Sequence, residues 1–186
     1  MTLSGPVWLS KFPNSNHLTD LAEPFRTKAT NFVAALQSAG AAVHVTATLR
    51  PPQRAYLMHF SFAIAKEGLD PATVPPQHGV DIQWVHRDPA GEVDLAASKE
   101  AAQGMVSGYG IVFKPALTSR HIEARAVDMN ITWHGDLVVT MDDGSHHTIS
   151  SVPRNGADNT DLHSVGALFG IFKLATDAPH WSDDGH

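Results

Sequence analysis

The stretch Ser119-Arg-His-Ile-Glu-Ala-Arg-Ala-Val-Asp128 constrains this chain more than any other. It sets His121 and Asp128 seven residues apart, where an apolar alternation (Ala126, Val127, Met129, Ile131) begins. That alternation has the period of a half-buried strand and runs to Trp133. A counterpart, Asp177-Ala-Pro-His180-Trp181, follows some fifty residues later. Brought together, His121, Asp128 and His180 are three candidate ligands for one metal ion, with Asp177 beside them as a base. The rest of the chain then reads as the scaffold that joins the two segments.

The sequence has no cysteine, which removes disulfides and thiolate metal sites and leaves His, Asp and Glu as the available ligands. Its 186 residues fit one domain, 1–186, large enough to bury a core without such staples. Hydrophobic residues at 42% and charged residues at 17% are ordinary for a globular chain. A net charge of −6 argues against gripping nucleic acid or an anionic membrane through the overall field. Residues 1–12 lack the basic region and apolar run of a signal peptide, so a cytoplasmic product is expected. No run approaches the roughly 20 apolar residues of a membrane span.

Residues 1–17 carry no sustained period and read as an irregular lead-in. A helix is expected from Thr19 or Asp20, or from Pro24, to Gly40, with Phe25, Ala29, Phe32, Val33 and Leu36 at helical spacing. A strand over Ala42–Leu49, a helix over Pro52–Lys66 and a strand over Val80–Val85 follow. Arg87–Glu92 read as a turn and Ala96–Tyr109 as a helix despite Gly104. After an irregular approach over 111–125 comes the strand Ala126–Trp133. Asp142-Asp143-Gly144 signals a hairpin between 136–141 and 146–152. A last helix over Thr160–Leu174 leads to a final short strand. This order suggests an α+β fold with a largely antiparallel sheet flanked by helices.

Two neutral imidazoles and a carboxylate suit zinc, whose catalytic sites commonly keep one position open for water. Such a centre acidifies water and polarises a carbonyl. Amide hydrolysis also needs a proton shuttle, which Asp177 can supply if Pro179 holds the intervening turn extended. A positive group must stabilise the oxyanion, and Arg50, leaving a strand end, is a candidate. Each residue alone has an ordinary reading: Asp128 as an exposed strand residue, His180 as a packed histidine, Arg50 as a solvated strand end. His146 and His147 read as exposed hairpin residues, and His163 as packed or solvated. His86 is an unassigned candidate for substrate contact. Trp84 and Trp133 read as core.

Read jointly, three motifs resemble a family. Thr48-Leu-Arg50-Pro-Pro-Gln53, Ser119-Arg-His121-(two residues)-Ala124-Arg-Ala126-Val-Asp128 and Asp177-Ala-Pro-His180-Trp181 are similar to motifs of the zinc D-alanyl-D-alanine carboxypeptidases and L-alanyl-D-glutamate endopeptidases. That group includes VanY-type enzymes and many phage endolysins, and the resemblance spans residues 42 to 181. It implies a hedgehog/DD-peptidase fold and Zn2+ held by His121, Asp128 and His180. It further implies Asp177 as catalytic base, Arg50 at the oxyanion, and Ser119, Gln53 and Trp181 lining the substrate site. The family usually has Gly three residues after the first ligand, where this chain has Ala124. If the position needs a positive φ, Ala costs about 1 kcal/mol there.

The resemblance implies a peptidase acting on the peptidoglycan stem peptide, with the L-Ala-D-Glu endopeptidase favoured over the D-Ala-D-Ala carboxypeptidase. The missing signal peptide points to a wall-acting protein released by lysis or secretion. The alternative, which Ala124 motivates, is an inactive wall-peptide or protein binding module on the same fold.

Overall fold

A computed structural model describes residues 1–186. Four helices form: α1 (Phe25–Ser38), α2 (Pro52–Phe62), α3 (Leu95–Tyr109) and α4 (Thr160–Leu168). The strands in chain order are β1 (Thr2–Leu3), β2 (Ala42–Ala47), β3 (Ile82–Gln83), β4 (His86–Arg87) and β5 (Val93–Asp94). They continue with β6 (Ala126–Thr132), β7 (Leu137–Thr140), β8 (His146–Ile149), β9 (Phe172–Lys173) and β10 (His180–Ser182). The mixture of helix and predominantly antiparallel sheet is the one the sequence leads one to expect. Only the two-residue pairing of β1 with β3 is parallel.

The chain groups into two compact units. The first comprises Met1–Pro13 and Pro51–Thr118. Its core gathers Trp8, Tyr56, Leu57, Phe60, Ile64, Trp84, Met105 and Val106 from α2, α3 and the loops around them. Residues 1–13 are therefore more than a lead-in. Trp8 is buried, its indole N–H donates to the Leu3 carbonyl, and Tyr109 donates its hydroxyl to the Trp8 carbonyl. Gly104 and Gly108, awkward in a helix, face this segment. A Cβ on Gly108 would lie 2.3 Å from Leu9 Cδ1. Asp94 caps α3 by accepting from the Ala97 N–H. The strand expected over 80–85 shrinks to β3. The turn at 87–92 closes a small hairpin, β4 with β5, through Asp88 and Glu92.

The second unit comprises Asn14–Arg50 and Ser119–His186. Its sheet runs β2-β6-β10-β9, all antiparallel, with β7-β8 as a separate hairpin. Strand period decides the rest. Val127, Met129 and Ile131 point into a core shared with Phe25, Phe32 and Leu36 of α1 and with Leu162 and Val165 of α4. Asp128, Asn130 and Thr132 take the opposite face. α1 begins at Phe25; Leu18–Asp20 is a separate 3-10 turn, because Leu21 takes an extended conformation between them. α4 stops at Leu168, short of Leu174, because Gly170 takes φ 74° and reverses the chain. Phe172–Lys173 can then pair with β10.

Candidate metal centre

β6 and β10 build the centre by direct pairing: His180 lies opposite Asp128 and Trp181 opposite Val127. Cross-strand partners project to the same side, so His180 and Asp128 meet on the face away from the core. Trp181 is carried to the other face, where it is fully buried against Phe32 and His163. That burial is a correction to its expected role. Trp181 anchors the strand from the core side and presents nothing to a substrate.

His121 reaches the same point from a turn. Arg120 and His121 open a single helical turn that closes as a Schellman motif, with Arg125 N–H on the Arg120 carbonyl at 2.8 Å and Ala124 N–H on the His121 carbonyl at 3.3 Å. Ala124 sits at the left-handed position of this motif, φ 57°, where glycine is the usual residue. Ser119 accepts from Ile122 N–H through its hydroxyl and its carbonyl, and so caps the turn. Arg50 N–H donates to the His121 carbonyl at 3.1 Å, tying the end of the β2 segment to the first candidate ligand. A bulge between Val45 and Ala47 shifts the register of β2 against β6 beside Asp128. Just beyond it, the Thr48 carbonyl faces the His121 ring.

Three atoms converge: His121 Nε2, Asp128 Oδ1 and His180 Nδ1, separated by 3.1, 3.2 and 3.2 Å. Metal bonds of about 2.0–2.1 Å in tetrahedral geometry place donors roughly 3.3–3.4 Å apart, close to this spacing. Each ring's second nitrogen is committed elsewhere. His121 Nδ1 lies 2.6 Å from the Thr48 carbonyl, and His180 Nε2 lies 3.1 Å from the main-chain oxygen of His186. A carbonyl can only accept, so each of those nitrogens carries a proton. The converging atoms are then two imidazole lone pairs and a carboxylate oxygen, three acceptors with no donor among them. Only a cation or an extra proton relieves that. The buried group His121, Asp128 and His180 can hold a metal ion.

The electrostatics agree. When the converging nitrogens carry protons in place of a metal, burial still pushes the Asp128 carboxyl up, but N–H donation and charge from His121 and His180 outweigh it and hold the group far below the ordinary carboxylate range. Burial likewise pushes His180 down, and the Asp128 carboxylate with the His186 carbonyl reverses this, leaving its pKa raised. Without a metal, the Asp128 carboxylate favours a proton on His180 in the metal's place.

Asp177 lies on the turn before β10. Its carbonyl accepts from His180 N–H at 3.1 Å and its N–H donates to the Leu174 carbonyl at 3.2 Å. The segment around Pro179 is therefore a closed turn, where an extended one is expected from the sequence. The Asp177 residue is exposed, and its charge is felt at both His180 and Lys173. Lys173 is a residue that sequence reasoning misses. Its ammonium donates to the Leu174 and Asp177 carbonyls, both at 2.5 Å, and clamps the turn. Its lone sequence signal is a position four residues before Asp177.

The remaining candidates fall elsewhere. Gln53 belongs to the first unit, at the start of α2, with its amide beside Gly79. His86 pairs with the Ser4 hydroxyl at 2.9 Å and is a structural residue of that unit. His146 and His147 lie on the hairpin strand β8, and His163 bonds the Gly156 carbonyl. Trp84 and Trp133 are core residues, as expected. No helix is long and apolar enough to cross a membrane. Compared with protein-family models and with the curated proteins, the sequence matches none.

Proposed function

We propose that this protein is a zinc-dependent peptidase that hydrolyses an amide bond in the stem peptide of peptidoglycan. The observation that carries the proposal is the convergence of three acceptor atoms whose tautomers are fixed from behind. Two imidazoles and one carboxylate, without thiolate, fit zinc and leave room for a fourth ligand. Bound there, zinc supplies Lewis acidity toward a carbonyl and toward water.

The chain's own groups supply the rest. His121 and His180 donate neutral nitrogens, and Asp128 reduces the charge of the centre. Asp177, exposed on the turn that leads into His180, takes the proton of the attacking water and returns it to the leaving amine. Arg50, tied through its main chain to His121, stabilises the oxyanion. The similarity of the three motifs to those of wall peptidases supports peptidoglycan as substrate, and the L-Ala-D-Glu endopeptidase over the D-Ala-D-Ala carboxypeptidase. Release to the wall by lysis or secretion belongs to the same reading. A wall-peptide or protein binding module without turnover is the second reading. Ala124 in the left-handed position favours it, since it marks a departure inside the first motif.

Digestion of purified peptidoglycan by the zinc-loaded protein, with products read by mass spectrometry, decides between them and names the bond. His121→Ala and Asp177→Ala should each abolish product formation, and only His121→Ala should release the zinc. Variants that cut as well as the parent would overturn the peptidase assignment. Stoichiometric zinc with no product from any muropeptide would favour the binding module.

A further inference from the structure

We propose that Arg120 and the segment Asp183–His186 form a buckle that fixes the tautomer of His180 and thereby sets how tightly the centre holds its metal. This rests on the metal-centre reading above. The two ligand histidines are supported unequally. His121 Nδ1–H is held by the carbonyl of Thr48, a fully buried residue whose own N–H bonds the Ser15 carbonyl. His180 Nε2–H is held only by the main-chain oxygen of His186, six residues further on.

That oxygen is placed by a folded segment with identifiable fastenings. The Ser182 hydroxyl, fully buried, accepts from Gly185 N–H at 2.8 Å and from His186 N–H at 3.0 Å. Asp184 Oδ1 accepts from His186 N–H at 3.2 Å. The Arg120 fork grips Asp184 at both carboxylate oxygens, with Nε on Oδ1 at 3.1 Å and Nη2 on Oδ2. Asp183 lies 3.5 Å from both Arg120 Nε and Arg125 Nη1, and its N–H donates to the Arg125 carbonyl. Arg120 immediately precedes the first ligand, His121. The buckle therefore starts beside one metal-binding histidine and closes behind the other.

A histidine without its outer partner is free to flip or to protonate at the wrong nitrogen, and loss of such a partner typically weakens metal binding about 10–100-fold. Arg120 and Asp184 are thus positioning residues. They touch neither metal nor substrate.

The test is zinc affinity by competition with a chromophoric chelator, measured on the parent and on Arg120→Gln and Asp184→Asn. The expected result is a zinc dissociation constant raised about 10–100-fold in each, and a smaller rise in Arg120→Lys, which keeps the charge and loses the fork. The charge-swapped pair, Arg120→Asp with Asp184→Arg, should recover part of the loss. Nitrogen-15 spectra of the zinc-loaded protein supply a readout that general stability would not move. The His180 Nε2–H should exchange slowly with water in the parent and rapidly in the variants. Should a variant not fold without metal, Arg120→Lys decides alone. Variants that bind zinc as tightly as the parent, with His180 Nε2–H still protected, would overturn the buckle and leave the metal centre standing. A parent that binds no zinc would overturn the metal centre itself.

Discussion

Ala124 is the residue at which local strain and the candidate site meet. Its φ of 57° places Cβ against the following carbonyl, a conformation that costs an L-residue roughly 1–2 kcal/mol. The Schellman bonds around it, with Ala22 N–H on the Ala124 carbonyl at 2.9 Å, hold it there. Ala124→Gly should therefore raise the denaturant midpoint, with a net gain of about 0.5–1 kcal/mol after the greater freedom of glycine in the unfolded chain is counted. Chemical denaturation checks this, and an unchanged or lower midpoint would contradict the strain. At this scale the sequence was informative about side chains and silent about main-chain groups. His121, Asp128 and His180 could be singled out only jointly, through three motifs in order that resemble a family, since each alone has an ordinary reading. The Thr48 and His186 oxygens that set the two tautomers could not, since a carbonyl leaves no mark on residue type.

The elements show why some boundaries were legible and others were not. α1 and β6 carry clear periods, 3.6 and 2, over many residues, and both lie close to where those periods place them. β9 has two residues and no period of its own. It exists because α4 ends early and because Lys173 and Phe172 find partners in Trp181 and Ser182. The packing of α4 makes the same point energetically. A Cβ on Gly166 would fall 2.7 Å from Trp181 Cζ3 and 3.1 Å from the Ile171 carbonyl, neither of which can swing away. Gly166→Ala should destabilise by about 1–3 kcal/mol through overpacking. Gly108→Ala, which meets only the flexible tip of Leu9, should cost less. Thermal unfolding of the two variants ranks them, and an equal or reversed order would show that α4 is not held against Trp181 as described.

For the molecule as a whole, a metal held at this centre would link stability to pH, and the sign can be worked out. All three candidate ligands belong to the second unit, so a bound metal would stabilise that unit by mass action, about 2.7 kcal/mol when free metal is a hundred times its dissociation constant. In the metal-free protein His180 has a raised pKa. Its interaction with Asp128 is fully present below the ordinary imidazole value and is lost as pH rises through the folded value. The lowered pKa of Asp128 contributes stability above the ordinary carboxylate range, and this is lost only at acid pH well below neutrality. Metal-free protein should therefore lose stability as pH rises from the ordinary imidazole value of about 6.5 through the higher value of folded His180. With metal the dependence inverts. Both imidazoles must be neutral to bind, so acid competes with the ion and affinity rises with pH. The melting temperature of zinc-loaded protein minus that of chelator-treated protein should widen steadily from pH 5.5 to 8. Differential scanning calorimetry at fixed free zinc measures the gap. A gap that stays flat over that range would mean that the ion, if bound, is not held by His121 and His180.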